Sequence, residues 1–164
     1  MEIKNKIKLI QENLKSKKFK EVINDCKNIL KKDPDNIFVL NLCGMAIQKV
    51  NIEESIPYFL KIIKIDKNNL AALNNLANTY KSLNKLGLAE EIYIKITRID
   101  PNYIQAIYNY GNLKQQINDY KNAINLYRKA LELDKKNIRI LFSLAISLQS
   151  IGNFDEAKKF LNEI

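Results

Sequence analysis

The stretch from Ile104 to Asn137, IQAIYNYGNLKQQINDYKNAINLYRKALELDKKN, decides the fold of this chain. Its apolar residues recur at steps of three and four, which predicts two short amphipathic helices joined by a tight turn. The pattern returns along the chain with a small residue at Gly44, Ala77, Gly111 and Ala145, at gaps of 33, 34 and 34 residues. An isolated helix pair cannot bury its apolar stripe, whereas stacked pairs share a core, so the period predicts an all-α solenoid of antiparallel helix pairs.

The same period divides residues 1–164 into a single solenoid of five repeats. We place the repeats at 3–36, 37–69, 70–103, 104–137 and 138–164, and the last of them is incomplete. Asp33-Pro34 and Asp100-Pro101 close two repeats, because proline disfavours helix at the residue before it. Asp119 is expected to N-cap the second helix of the fourth repeat.

The second repeat is one residue short, and the deletion falls in the turn around Asn51. Asn51 and Glu54 have the spacing of a capping box, so we expect the second helix of this repeat to begin at Asn51. Pro57 would then lie beyond the first turn. A bend or a missing backbone hydrogen bond is therefore expected at Pro57.

The net charge of +9, from 27 Lys and Arg against 18 Asp and Glu, would suit binding to polyanions. However, Lys, Ile and Asn are over-used while Arg, Ala and Gly are scarce, which is typical of an A+T-rich genome. No basic run is interleaved with stacking aromatic residues, as single-stranded nucleic-acid binders require. These features disfavour a nucleic-acid partner, and we expect the densest basic cluster, formed by Lys15, Lys17, Lys18 and Lys20, to cap a solvated helix end.

Residues that could carry catalysis are scarce. The chain has no histidine, and its four glycines are not spaced as in a Gly-rich phosphate loop. Cys26 and Cys43 occupy apolar helical positions without partner ligands, so we expect buried thiols in a reducing compartment. The acidic pairs Glu53-Glu54 and Glu90-Glu91 are expected to be solvated helix starts. We predict no enzyme activity, no cofactor and no bound metal.

The N-terminus, MEIKNKIKLI, is charged from its second residue and offers no apolar segment for a signal peptide or a membrane span. We therefore expect a cytoplasmic protein that does not enter a membrane. At the other end, the last helix carries Ala157, Phe160, Leu161 and Ile164 on one side. Either the chain continues past Ile164, or a partner or second copy covers this side.

The repeats resemble the tetratricopeptide repeat (TPR) family over almost the whole chain. The third to fifth repeats match the family's recurring large, small and aromatic positions. The matching residues are Leu76-Ala77, Tyr80, Ala89, Tyr93 and Pro101 in the third repeat and Tyr110-Gly111, Tyr120, Ala123, Tyr127 and Ala130 in the fourth. In the fifth they are Leu144-Ala145, Gly152, Phe154 and Ala157. The resemblance implies a right-handed superhelix whose first helices line a concave groove. It also implies partner proteins or peptides bound in that groove.

Helix geometry predicts which residues line the groove: on each first helix they lie on the face opposite the core residues. In the second repeat this face carries Phe38, Asn41, Leu42, Met45 and Gln48. In the fifth repeat it carries Phe142, Ser143 and Ile146. In the middle it is rich in carboxamides, which can pair with both the N–H and the C=O of an extended peptide. The predicted peptide-binding residues are Asn74, Asn75, Asn78, Tyr108, Asn109, Asn112, Gln115 and Arg139.

Two uses of this groove are known in similar repeat domains. In O-linked N-acetylglucosamine transferases an asparagine ladder holds peptide backbone, and Asn75 and Asn109 stand at the matching positions. A carboxylate clamp for chaperone C-termini is disfavoured, since Asn74 and Ser143 replace its required cations. Codon bias remains an alternative explanation of the asparagines.

The sequence therefore predicts a non-catalytic scaffold that binds an extended peptide. Two alternatives stay open: the repeat portion of a larger enzyme such as a glycosyltransferase, and an RNA-binding solenoid.

Overall fold

The computed structural model describes residues 2–163, and side chains from Asn5 onward. The expectation for Ile164 lies outside these residues. Over the described range the chain forms α-helices joined by short turns, and the predicted all-α fold of repeated helix pairs is confirmed. The helices are α1 Glu2–Lys15, α2 Phe19–Leu30, α3 Ile37–Gln48, α4 Ile56–Ile65, α5 Leu70–Ser82, α6 Leu86–Ile99, α7 Ile104–Gln116, α8 Tyr120–Leu133, α9 Ile138–Ser150 and α10 Phe154–Leu161.

The chain divides into two compact units, an N-terminal unit, Met1–Ala89, and a C-terminal unit, Glu90–Ile164. In the N-terminal unit each of α1 to α4 packs against the helix that follows it, and α3 also contacts α1 and α5. In the C-terminal unit α8 packs between α7 and α9, α10 packs on α9, and α7 also contacts α9. In each unit, therefore, first helices of successive pairs lie side by side, as a stack of helix pairs requires.

Asparagine N-caps begin three of the first helices. In each case the side-chain oxygen accepts a hydrogen bond from the backbone N–H three residues later, and the side-chain nitrogen donates to an aspartate three residues earlier. The three pairs of asparagine and aspartate are Asn36 with Asp33, Asn69 with Asp66, and Asn137 with Asp134. Helix capping at these three positions, which were not among the predicted caps, thus explains part of the asparagine content of this chain.

A left-handed residue forms the turn inside four of the five helix pairs. The residues are Lys17, Asn84, Asn118 and Gly152, with φ of 59°, 58°, 60° and 80°. Glycine and asparagine tolerate this conformation, whereas a side chain such as lysine is strained there. Lys17 therefore departs from the pattern that the other three turns follow.

The turn before α4 has a different form. A short 3₁₀ turn, Glu53–Ser55, precedes α4, so Pro57 is the second residue of the helix rather than an interior one. Its missing N–H would have no partner in the first turn anyway, so the expected bend or lost hydrogen bond at Pro57 was wrong. Asn51 does not begin the helix either, and its side chain donates to Glu54 at 2.7 Å. The expected cap at Asp119 is confirmed.

A glycine allows close helix approach in each unit. A Cβ atom added at Gly44 would lie 2.7 Å from Cε1 of Phe59, and one added at Gly111 would lie 2.5 Å from Cε1 of Tyr127. Both distances are far inside van der Waals contact. Gly44 and Gly111 are therefore packing positions that admit no larger side chain without a shift of the facing ring.

The last helix is better covered than expected. Ala157 is fully buried against α9, and Phe160 packs partly buried on the same core cluster. Of the described residues on the expected side, Leu161 remains exposed, at 37%. Aromatic side chains are more exposed elsewhere in this unit, at Phe142 on α9 and Phe154 at the start of α10.

Candidate functional site

In the N-terminal unit, an asparagine pair joins α3 and α5. Nδ2 of Asn75 donates to Oδ1 of Asn41 at 2.9 Å, and both side chains are half-buried. Asn78 is half-buried on the same helix, whereas Asn74 is only 8% exposed. We call Asn41, Asn74, Asn75 and Asn78 the N-terminal amide surface.

Leu42 does not belong to this surface. The sequence placed it on the groove face, but it is 6% exposed and packs in the core cluster of α2 and α3. The reason is that α3 is flanked by α1 and α5 as well as by its own pair, so more than one side of it is covered. That expectation was wrong.

Gln48 and Thr79 lie behind the asparagine pair. Nε2 of Gln48 donates to Oγ1 of Thr79 at 2.8 Å, and Thr79 in turn donates to the carbonyl oxygen of Asn75 at 2.9 Å. Thr79 is fully buried, so these bonds satisfy a hydroxyl that would otherwise be costly to bury. The chain of bonds holds the backbone beneath Asn75 in place.

Lys81 lies on the same face of α5 as Asn74 and Asn78, at steps of three and four. It is half-buried, and burial lowers the pKa of its amine. In the N-terminal unit the groove face therefore includes a partly desolvated cation.

In the C-terminal unit, a buried tyrosine reaches the amide side chains of α7. The hydroxyl of Tyr127 donates to Oδ1 of Asn112 at 2.7 Å, and Oε1 of Gln115 lies 3.1 Å from the same hydroxyl. Burial raises the pKa of Tyr127, so the hydroxyl remains a donor at neutral pH. The side-chain oxygens of both amides therefore face the core, and their NH₂ groups are the parts that can donate to a ligand.

Tyr108 and Asn109 complete what we call the C-terminal amide surface, with Asn112 and Gln115. All four side chains are half-buried. The Tyr108 ring lies against Tyr127 with centroids 5.8 Å apart, and its hydroxyl is 3.3 Å from Oγ of Ser143 on α9. Arg139, the remaining predicted residue, is exposed on the first turn of α9.

A polar cluster that the sequence analysis missed lies on α6 and α7. Nζ of Lys114 is 2.5 Å from Glu90 and 3.6 Å from Asp119, and the hydroxyl of Tyr110 donates to Glu90 at 2.8 Å. The ion pair with Lys114 lowers the pKa of Glu90, and the pKa of Lys114 is raised in turn. Glu90 is thus a paired residue inside α6, and its expected role as a solvated helix start was wrong.

The two cysteines are free and buried, at facing positions of α2 and α3. The hydrogen bond with Cys43 and burial raise the pKa of Cys26, which keeps its thiol protonated.

Among the described residues no group of three His, Cys, Asp or Glu side chains could hold a metal ion. No helix in the described part of the chain is long and apolar enough to span a bilayer.

Comparison with known proteins identifies the repeats. Two family models, both for the tetratricopeptide repeat, match residues 58–91 and 116–164. The chain carries tetratricopeptide repeats. The TPR fold explains the recurring small residues, the helix pairs and the side-by-side first helices, and TPR proteins as a family act as interaction scaffolds.

Solved structures of MamA proteins share this TPR fold. A structure of MamA residues 41 to the end, from Desulfovibrio magneticus RS-1, is 18% identical, with a TM-score of 0.79 over 96% of this chain and 92% of that one. Another MamA structure is 21% identical, with a TM-score of 0.78 over 94% of this chain and 91% of that one. At such identities the likeness shows the fold alone. No curated protein matches the chain in sequence.

Proposed function

We propose that this TPR protein is a non-catalytic cytoplasmic scaffold that binds an extended peptide along the exposed faces of its first helices, the expected concave groove. The observation that carries the proposal is the set of half-buried carboxamides on α3, α5 and α7, held in place by bonds to neighbouring helices. Two buried free thiols favour a reducing compartment, and hence the cytoplasm.

Preorganised amides suit recognition of a peptide backbone. An extended peptide presents alternating N–H and C=O groups, and a side chain already fixed by a neighbour loses little entropy when it binds. In the N-terminal unit Nδ2 of Asn75 is engaged with Asn41, so Oδ1 of Asn75 is the atom offered to a peptide N–H. In the C-terminal unit Asn112 offers its NH₂ group to a peptide C=O.

The asparagine ladder proposed here, with Asn75 and Asn109 as its rungs, would read backbone and not sequence. Supporting residues are Asn78, Tyr108, Asn112, Gln115 and Arg139, whereas Asn74 is too buried to contribute more than a small contact. Such a ladder makes the scaffold tolerant of different partner sequences.

The experiment is a binding measurement on an array of short peptides of random sequence. The double variant Asn75→Ala with Asn109→Ala should bind the array about tenfold more weakly than the parent, since each lost backbone bond is worth about 0.5–1.5 kcal/mol. Circular dichroism should show unchanged helicity. Equal binding by the double variant would discard the ladder.

The matched control replaces two asparagines in turns, Asn68→Ala with Asn102→Ala. Both are exposed, and their bonds to Asp66 and Asp100 use the backbone N–H, so alanine keeps those bonds. This control should bind like the parent. A salt-sensitive preference for RNA over all peptides would favour the RNA-binding alternative instead.

Self-association through α10 is also proposed. On the predicted apolar side of that helix Leu161 stays exposed, and a second copy of the chain could cover it. Sedimentation should show a concentration-dependent dimer that Leu161→Ser weakens, and a strictly monomeric parent would refute this part of the proposal.

A further inference from the structure

A cleft of about 350 Å³ opens beside the asparagine pair of the N-terminal unit. Its apolar lining consists of the half-buried side chains of Leu14, Phe19 and Met45. Its rim carries the exposed side chains of Lys15, Lys17 and Lys49. The volume lies at the lower end of the range for ligand pockets, which suits one large apolar side chain.

The charges at this cleft have one sign. None of the described residues that line the cleft is an Asp or a Glu. Lys18, next to Lys17 in the sequence, forms an ion pair with Glu21 at 3.7 Å, but Lys18 does not line the cleft. Three cations around an apolar pocket favour a ligand that brings its own carboxylates.

Lys17 gives an independent indication of function. It occupies the left-handed turn position that Asn84, Asn118 and Gly152 occupy in other helix pairs. Codon bias does not explain this choice, because asparagine and lysine both have A-rich codons and asparagine fits the turn better. Strain that persists at one position is a common mark of a functional site.

The cleft is continuous with the proposed peptide surface, since Asn75 and Gln48 also line it. A peptide backbone held at Asn75 would therefore pass the mouth of the cleft. One of its side chains could enter between Phe19 and Met45, with the residues next to it close to the lysines.

We infer that the N-terminal unit selects peptides in which a large apolar residue is flanked by acidic residues. This inference rests on the proposed function and adds the class of sequence that the scaffold prefers. A second copy of the chain is a poor occupant, because the chain is itself basic, with a net charge of +9. RNA is a poor occupant too, because the one aromatic ring at the cleft, Phe19, is part of its half-buried lining and offers no stacking platform.

The test uses the full chain and fluorescent peptides of equal length. The first has a central phenylalanine between two pairs of aspartates, the second has asparagines in place of the aspartates, and the third has serine in place of the phenylalanine. The first should bind about tenfold more tightly than the second at low salt, and the difference should shrink at high salt because the lysines are exposed. The third should also bind about tenfold more weakly than the first, because it leaves the apolar cleft unfilled.

The rim variant replaces Lys15, Lys17 and Lys49 by glutamine. Its matched control replaces the exposed Lys121, Lys135 and Lys136 of the C-terminal unit, which removes the same net charge. The rim variant should lose the preference for aspartate, and the control should keep it. Loss of the preference in both variants would show an effect of net charge alone and would overturn the inference.

Lys17→Asn separates function from stability. Asparagine relieves the left-handed strain, so Tm should rise by about 2 °C while binding of the aspartate peptide falls about threefold. Unchanged binding in this variant would remove Lys17 from the inference.

Failure of the inference and failure of the proposed function differ in outcome. If the aspartate and asparagine peptides bind equally well and Asn75→Ala with Asn109→Ala weakens both, the ladder stands and the acidic preference is wrong. If neither peptide binds, the proposed function itself fails. Tighter binding of a single-stranded RNA oligonucleotide than of the aspartate peptide would also overturn the inference.

Discussion

The two units use the same packing around different rings. Gly44 meets Phe59 in the N-terminal unit, and Gly111 meets Tyr127 in the C-terminal unit. Both rings are fully buried. The Tyr127 hydroxyl continues past the core to Asn112, whereas Phe59 has no group that could do so.

A single oxygen atom thus changes what each exposed face can offer. In the C-terminal unit the amides of α7 are tied to the core by Tyr127. In the N-terminal unit the corresponding residues of α3 are Met45 and Gln48, which line an open cleft. The comparison teaches that the buried helix of a pair can determine the chemistry of the exposed one.

The glycine contacts should show the largest effect. Gly111→Ala should destabilise the chain by about 3 kcal/mol and Gly44→Ala by about 2 kcal/mol, since overpacking in a dense core costs about 1–3 kcal/mol. The C-terminal variant should suffer more because Tyr127 is bonded and cannot move away as freely as Phe59. Urea denaturation followed by circular dichroism measures both.

Gly87→Ala is the matched control, because nothing lies within 4 Å of an added Cβ at that position. It should be neutral or slightly stabilising, given the better helix propensity of alanine. Equal losses at Gly87 and Gly111 would contradict the packing explanation.

The next prediction transfers the hydroxyl between units. Phe59→Tyr should cost about 2 kcal/mol, because a buried hydroxyl without a partner costs about 1–3 kcal/mol. Adding Met45→Asn should recover at least half of that loss by recreating the Tyr127–Asn112 pair. A double-mutant cycle gives the coupling energy between positions 59 and 45. A coupling energy near zero would show that the Tyr127–Asn112 hydrogen bond cannot be transferred to the N-terminal unit.

The reverse change should have a smaller effect. Tyr127→Phe should cost about 1 kcal/mol, because Asn112 and Gln115 are half-buried and water can replace the lost donor. Peptide binding at the C-terminal amide surface should also weaken, since Asn112 loses its fixed orientation. A stability loss with unchanged peptide binding would confine Tyr127 to a structural role.

The smallest effect concerns the ion pair between Lys114 and Glu90 in the C-terminal unit. Because the folded-state pKa of Glu90 lies below its ordinary value of 4.5, its contribution is present above that value and is lost as pH falls through the folded pKa. Glu90→Gln should cost about 0.5 kcal/mol at neutral pH, as expected for a partly exposed pair, and progressively less as the pH falls below 4.5. Denaturation over a series of pH values measures this, and a pH-independent cost would refute it.

The fold was predictable because its signals are local and repeated. The small residues at Gly44 and Gly111 and the cap at Asp119 each depend on neighbours within one helix pair. The site was less predictable. Helical period defines the face opposite the core, but it does not show how much of that face adjacent helices cover, which is why Leu42 and Asn74 proved buried.

Contacts between helices explain the other missed features. The pairing of Glu90 with Lys114 joins α6 to α7, and the cleft at Lys15 and Lys49 joins α1 to α3. Residue spacing along the sequence predicts neither feature, because both depend on the distances between packed helices. Strain at Lys17 was accessible in principle, by aligning the turn of the first repeat with Asn84 and Asn118.

The orientation of Asn112 has a consequence for partner choice. Since the phenol of Tyr127 occupies the side-chain oxygens of Asn112 and Gln115, this part of the C-terminal amide surface presents hydrogen-bond donors. A partner meets those donors with its carbonyl groups and needs no N–H of its own there. Proline, which lacks that N–H and favours an extended chain, should therefore be as acceptable on this surface as any other residue.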